Sequence, residues 1–578
     1  MAKTERAGSE TGPPSNTVND GSEPMACSSQ VFNEPPLTTG AVSSMVNDRS
    51  TSTSSTGLEG KNIEDQSMGG TTEPIVPAPS EKALHNLDRA IKALQGGPQD
   101  PKGSPILRLA SIRIEGAEQV RPSFLLSVLR PYIDPLAPLL PWSEALYAHR
   151  TSFKRPAQPT TFSGILALTQ SLGADLTSFD LFKDVSARFE PCAHPLASDE
   201  DIDIVLQCVK KSRLFLKSST DIGNDEGTAS VQGMLRNVFG GAETLEGSAT
   251  FGTRTRRAFN LLFTTPVLAS PVLNGLVSAY TMDTDLSTWS SSRLSTQGLR
   301  AALMYTGRPF QQRELACEAS WRQLGHMLPD ASVGMRKLGG DSVKAALTHT
   351  WVQDTRDDPF LGTRGIYIKA VQELAGLGGS TSFFKLESEV QCSRRLPSAH
   401  GLVCSFAART GVLRTLDGQP SVYADRFHLG GPTSLRMFRQ HSLGPRDGLD
   451  SLGGDAFWSA GASLIADMPR RPDWPLKLHA FVNTGQLCQI DQAAPLARVK
   501  SSSSSYKGAV PATGTSNRES VLASTFRQLA QPSISAGVGL MYVQGPLRVE
   551  LNAGVPLVAR RGDGTRKGLQ FGIGVAFL

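Results

Sequence analysis

The chain has 578 residues, more than one ordinary domain needs, with 39% hydrophobic and 19% charged residues and a formal net charge of +5. So mild a balance offers no concentrated basic field for nucleic acid, and no run of about 18 uninterrupted apolar residues is present to form a membrane helix. A membrane barrel is not excluded: mean hydropathy is −0.18, and strands of about 10 alternating residues average to near zero in any hydropathy sum.

The first 100 or so residues are rich in Ser, Thr, Gly, Pro and Asn, with Phe32 as their only aromatic residue. Residues 1–104 therefore read as a disordered low-complexity segment that cannot bury enough surface to offset its ordering entropy. The opening "MAKTERAGSETGPPSN" has no apolar core for a secretory signal and is neither Arg-rich nor acid-poor, so no cleaved presequence is expected. Within the segment, 81–95 reads as a short lead-in helix. Ser80 can cap it, Leu84, Leu87, Ile91 and Leu94 share a face, and Gly96 ends it.

Residues 105–211 have the pattern of a small α+β domain. "LASIRIEGAEQV" alternates Ile112 and Ile114 with polar residues and closes at Gly116. "RPSFLLSVLRPYI" and "TFSGILALTQSLG" are amphipathic helices, the first with Phe124, Leu125, Val128 and Leu129 on one face. "KDVSARFE" and "DIDIVLQCV" supply two more strands. The order βααββ packs two helices on a three-stranded sheet whose edge can accept an extended chain.

From 212 to 578 short alternating runs recur between turn residues, with no convincing long helix. In "SFFKLESEVQC" Phe384, Leu386 and Val390 lie on one face and Lys385, Glu387 and Glu389 on the other, as lipid and a wet lumen would demand. That much antiparallel strand must close on itself or aggregate through its edges, so a barrel is expected. The 55 glycines fit its turns and close packing. Two polar stretches, 281–298 and the Ser-rich 498–520, read as loops at the barrel rims. The closing "LQFGIGVAFL" reads as the last strand, with Leu578 completing closure beside the first.

Several of these stretches resemble a known family: "MLRNVFGGAETLEG", "DTRDDPFLGTRGIYIKAVQELAGLGGSTSFFKLESEVQ", "FHLGGPTSLRMF", "LGGD" at 452–455, "HAFVNTG" and "RVELNAGVPL…GLQFGIGVAFL". In this order they resemble the barrel subunit of the mitochondrial sorting and assembly machinery, a branch of the outer-membrane insertase superfamily that includes bacterial BamA. The resemblance spans roughly residues 105–578. It implies a transmembrane β-barrel of about sixteen antiparallel strands, preceded by one POTRA domain facing the intermembrane space. The implied function is folding barrel precursors into the mitochondrial outer membrane, by templating a client strand at a lateral gate between the first and last strands.

The resemblance also implies site residues. The first gate strand falls near 212–222, with Arg213, Phe215 and Lys217. Leu435, Arg436 and Phe438 match the motif of the sixth loop, with Met437 where the family has glycine. That loop folds into the lumen, where Phe481, Asn483 and Gly485 share one wall face by strand alternation. The usual Asp is Asn483 here, and Ile465 stands where bacterial relatives have Glu, so Asp467 is a candidate carboxylate for Arg436 and the Asn483 amide a weaker substitute. Gln570, Gly572, Val575 and Phe577 match the family's terminal-strand sorting signal, a pattern that a good final strand needs in any case. Implied partners are barrel precursors, two peripheral cytosol-facing metaxin-like subunits, cristae-organising proteins and the lipid bilayer.

No chemistry of bond making is apparent. The seven cysteines, Cys27, Cys192, Cys208, Cys317, Cys392, Cys404 and Cys488, are scattered and never CxxC-spaced, and read as reduced thiols. The nine histidines lack metal spacing, His428 reads as polar packing, and "GDGTRKG" at 562–568 is a hairpin turn, not a phosphate loop. There is no GxSxG elbow. Neither enzyme, metal nor cofactor is expected. The rivals to an insertase are a passive outer-membrane channel and a structural tether between membranes.

Overall fold

The computed structural model describes residues 80–94, 106–133, 160–192, 194–223, 226–397, 401–471, 474–490, 521–544 and 547–574. Most of the expected low-complexity head and the Ser-rich insert at 498–520 lie outside these residues. So do Val575, Phe577 and Leu578.

The helix expected near 81–95 is α1, Glu81–Leu94. The face it buries is rotated from the expected one: Ala83, Leu87 and Ala90 are inside and Leu84 is exposed. Their spacing is that of one helical stripe, and the small alanines let α1 lie close against the domain that follows. Ser80 sits at its start, its hydroxyl 3.3 Å from the Lys82 N–H while donating to Asp199 at 2.9 Å.

That domain comprises β1 (Ile106–Glu115), α2 (Pro122–Ile133), β2 (Thr160–Thr161), α3 (Phe162–Ser178), β3 (Phe182–Pro191) and β4 (Asp201–Lys210). The sheet runs β2-β1-β4-β3, with β1 and β4 parallel and the other pairs antiparallel. The expected three strands are thus joined by the two-residue β2. Leu107, Val128, Leu172, Ile204 and Leu206 fill the core, and β3 is left as an edge.

Among the described residues, sixteen antiparallel strands follow in one sheet. They are β5 (Leu214–Gly223), β6 (Glu226–Arg236), β7 (Thr244–Gly252), β8 (Thr255–Pro266), β9 (Leu273–Asp285), β10 (Arg293–Arg308), β11 (Gln311–Gly325), β12 (Gly340–Asp354), β13 (Gly365–Gly379), β14 (Phe383–Arg395) and β15 (Val403–Thr415). After a long loop holding the short pair β16 (Arg446–Asp447) and β17 (Asp450–Ser451), the sheet resumes with β18 (Ala456–Asp467), β19 (Leu476–Cys488), β20 (Ser533–Gln544), β21 (Leu547–Val558) and β22 (Gly568–Gly574). The connections also carry the short helices α4 (Ser287–Ser290), α5 (Val333–Leu338) and α6 (Val521–Leu529).

Alternation decides the two faces. Leu299, Phe384, Phe406, Val482, Leu551 and Phe571 point outward and are exposed, forming the apolar surface that a bilayer covers. Inward-facing Lys344 bridges Glu373 at 2.9 Å and Glu318 at 3.5 Å across β11, β12 and β13. No helix among the described residues is long and apolar enough to cross a membrane. The sheet is curled: Arg548 on β21 donates to the Phe360 carbonyl, in the turn between β12 and β13, at 3.3 Å.

The rim loop expected at 281–298 is instead mostly strand. β9 runs to Asp285 and β10 starts at Arg293, with Thr281 opposite Gln297 and Asp283 opposite Ser295. A strand that projects past the lipid can be polar on both faces, so composition alone does not separate it from a loop. Earlier in the sheet, β6 stops at Arg236 and the chain turns onto the small domain. There Ala242 and Ala269, from two barrel turns, join the small domain's core. Arg121 pairs with Glu243 at 2.7 Å, the Asn237 amide donates to the Gln119 carbonyl at 2.9 Å, and Arg236 meets Asp180 at 2.7 Å.

Candidate functional site

The loop between β15 and β18, the sixth on its rim, folds into the lumen. Leu435, Phe438, Leu429 and Leu443 are buried there with Ala346, Ala375, Phe383, Leu413, Phe457 and Leu487 from six strands of the wall. This is an apolar core inside a barrel, and burying a large side chain in it contributes about 1.5–3 kcal/mol. The wall clears room by small residues. A Cβ at Gly485 would lie 3.2 Å from Leu435 Cδ1 and 2.9 Å from the Trp458 carbonyl oxygen, and one at Gly554 would lie 3.0 Å from Met437 Sδ.

Arg436 sits at the centre with no exposed surface. Its Nε donates to Glu550 Oε2 at 3.0 Å and its Nη2 to Oε1 at 3.2 Å, a two-point contact with a carboxylate that is itself fully buried. Its Nη1 meets the Asn483 amide oxygen at 3.4 Å, and the guanidinium lies 5.0 Å from the Phe481 ring centre. Glu550 is shared: Arg548 donates to Oε1 at 2.6 Å and Asn552 to Oε2 at 3.0 Å. His479 Nε2 lies 2.7 Å from Asn552 Oδ1. Two guanidiniums on one carboxylate leave a net positive cluster away from water, which amide and carbonyl oxygens and the aromatic face offset.

Other loops hold the far part of loop six. Asp425 pairs with Arg322 of β11 at 2.5 Å. Asp450 and Asp447 accept from the Ser332 and Gly334 N–H groups at 2.7 Å, at the start of α5. His428 packs beside Tyr423 and His441, with ring centres 5.1 and 5.0 Å away. Burial, with Arg426 and Lys385 nearby, pushes its pKa down to about 4, so it packs as a neutral ring. Among the described residues no His, Cys, Asp and Glu cluster could hold a metal.

Against known proteins, residues 237–577 match the Omp85 superfamily domain. The SAM50-like protein SPAC17C9.06 of Schizosaccharomyces pombe is 32% identical over 507 residues, spanning 87% of this chain and 97% of that protein. The chain belongs to the Omp85 superfamily, in its SAM50 family. The human sorting and assembly machinery component 50 homolog is 32% identical over 413 residues, covering 70% of this chain and 81% of its own. In fold the chain is similar to BamA from Haemophilus ducreyi lacking POTRA domains 1-3, with a TM-score of 0.61 at 14% identity over 80% of this chain and 84% of that one.

The residues that the family resemblance implied are only partly brought together. Leu435, Arg436, Phe438, Phe481, Asn483 and Gly485 meet in the lumen. Asp467 does not join them: it binds Lys477 at 2.5 Å, its neighbour across β18 and β19. The carboxylate for Arg436 is Glu550, which sequence reasoning missed. Its signal was present in "RVELN", where Arg548, Glu550 and Asn552 alternate with Val549 and Leu551, marking a strand with a polar inner face. Met437 takes φ +68, the left-handed backbone for which the motif's glycine is suited, at a cost of about 1–2 kcal/mol for a residue with a Cβ.

At the two ends of the sheet, Phe215 and Lys217 of β5 face the lumen with Met234 and Gln232, and Phe215 is 43% exposed. Arg213 precedes the strand and donates to the Asn237 carbonyl at 2.9 Å. On β22, Gln570 and Gly572 face inward and are buried. No ladder joins β5 to β22 among the described residues.

Proposed function

We propose that this chain folds barrel precursors into the mitochondrial outer membrane by offering a strand edge as template. The observation that carries this reading is the seam. Every barrel strand ladders with its chain neighbour, yet no described residue of β5 ladders with β22. A nascent strand in lipid cannot leave its N–H and C=O groups unpaired, each costing several kcal/mol, and an edge that can be uncovered supplies partners for them. The names of the relatives, components of a sorting and assembly machinery, support the same reading. In it, the small domain is a POTRA domain in the intermembrane space, and the barrel assembles with metaxin-like subunits on the cytosolic side and with cristae-organising proteins. Templating is an exchange of hydrogen bonds, so it needs neither cofactor nor nucleotide hydrolysis.

A passive channel is the weaker reading, because loop six packs an apolar core against the inner wall of β12–β15, β18 and β19 and so narrows the lumen. The deciding experiment depletes the protein and imports a radiolabelled porin precursor into the isolated mitochondria. The expected result is precursor that reaches the outer membrane without integrating; normal integration would sink the proposal.

A further inference from the structure

The polar ends of β9 and β10 stop, on the outer face, at Thr281 and Gln297, which stand opposite each other. Across the strands they continue a level that runs from Phe259 on β8 to Trp321 on β11. Toward the small domain, past Leu299, Ala301 and Leu303, Tyr305 and Trp351 lie on either side of Arg313. Two aromatic levels with an apolar band between them are the girdles of a membrane barrel, so Thr281 and Gln297 sit where hydrocarbon gives way to headgroups. Neither side chain has a hydrogen-bond partner among the described residues.

Next to this pair, on its hydrocarbon side, the wall recedes. Gly247, Ala279 and Ala319 floor an open trough on β6–β12, with Leu261, Leu299 and Trp321 standing from its sides. Its volume is about 880 Å³, within the range of small-molecule sites. The row on the other side of the pair, toward the rim, holds Arg257, Asp283, Ser295, Gln323 and Asp341. Arg257 is committed to Asp283 at 2.5 Å, so this row offers a phosphate no uncommitted cation and presents Asp341 to repel it.

We propose that the trough holds one sterol. Its hydroxyl bonds the Gln297 carboxamide and the Thr281 hydroxyl, groups that can each donate and accept. Its rigid rings lie on the small-residue floor between Leu261, Leu299 and Trp321, and its tail runs toward Val277 and Ala301. A phospholipid chain finds equivalent apolar surface anywhere on the barrel, and its charged head needs a cation that the adjoining row does not supply. A flat body with an uncharged donor-acceptor at one end uses both the floor and the polar pair, and being preorganised it loses little freedom on binding. The site is independent of templating, since it needs only a lipid-facing wall.

The test places the full-length protein in phosphatidylcholine vesicles containing a photoreactive cholesterol analogue and maps the cross-links by mass spectrometry. Labelling is expected to concentrate on 277–281, 297–301 and 317–321. Excess cholesterol should displace the probe, and its epimer with the hydroxyl inverted should do so roughly tenfold less well, as loss of the hydrogen-bonded end implies. Gln297→Leu should lower labelling roughly fivefold for the same reason, and Ala319→Leu, which fills the floor, by at least as much. Labelling spread evenly over the outer strands, or equal competition by the two epimers, would overturn the site. A photoreactive phosphatidylcholine that concentrates in the same segments and displaces the sterol would overturn it in favour of a phospholipid. In isolated mitochondria, cross-links from the trough to another protein in place of the sterol would assign this face to a partner and overturn it as well. Should either variant fail to fold, the map and the epimer competition on the natural protein decide alone.

Discussion

The two strands at the ends of the sheet are held in opposite ways. The inward face of β22 is buried against loop six, and its hairpin partner β21 carries Glu550, the carboxylate on which Arg436 rests. The inward face of β5 is open: Phe215 is 43% exposed and Lys217 is exposed as well. The fixings near β5 lie at its base, where Arg213 reaches Asn237 and Arg236 reaches Asp180 on the small domain. One edge is therefore held along its inward side chains, and the described fixings of the other lie at its base.

The comparison is broken most severely at Glu550. Glu550→Gln leaves Arg436 and Arg548 both without a carboxylate in a dry site, and breaking a buried pair this way costs about 3–5 kcal/mol. Limited proteolysis in detergent should then cut loop six readily while the β5 end of the barrel keeps its protection. Arg436→Met is expected to cost less, because Glu550 retains Arg548 at 2.6 Å as a neutralising partner. An apolar chain of similar length also suits the surrounding core. The discriminating result is the order of the two variants in thermal unfolding and client assembly: equal losses would mean that Glu550 does not serve both guanidiniums. Phe215→Ala, on the open edge, should leave loop-six protection unchanged.

How much of this was legible in the sequence differs along the chain. The barrel was, because lipid outside and water inside force a period of two, visible in Phe384, Leu386 and Val390 against Lys385 and Glu389. The small domain was legible for a similar reason, its helices and strands each having one apolar face. What alternation cannot supply is contact between distant strands. Glu550 meets Arg436 across 114 residues of chain, and only closure of the sheet round loop six brings them together. Asp467 looked equivalent on paper, but cross-strand pairing delivers it to Lys477. Likewise nothing local separates the polar ends of β9 and β10 from a loop, since the distinction is a ladder to neighbouring strands.

A smaller effect is expected at Met437, where backbone and side chain pull in opposite directions. Met437→Gly relieves the left-handed strain, worth about 1–2 kcal/mol, but removes a fully buried side chain worth about 2–3 kcal/mol. The net loss of about 1 kcal/mol should appear as slightly faster hydrogen exchange at loop six, with β5 unaffected. A gain in protection would mean that the wall closes over the space left beside Gly554 and that the methionine is tolerated rather than used.

The smallest effect lies in the small domain and checks that the seam's asymmetry is local. Asp201 is 3% exposed, and Arg108 binds both its oxygens, at 2.7 and 2.9 Å. These bonds, with the Ser198 N–H, hold its carboxyl below the ordinary 3.8 against the opposing effect of burial. A depressed carboxylate contributes stability that is complete above its unfolded value and is lost as pH falls through the folded one. Acidification from pH 5 to below 3.8 should therefore loosen the pairing of β1 with β4 before loop six responds. Asp201→Asn should remove that pH dependence from hydrogen exchange in β1. If loop six loosens over the same pH range in the natural protein and not in Asp201→Asn, the contacts of Arg121, Asn237 and Arg236 transmit the small domain's state into the barrel, and the two edges are not independently held.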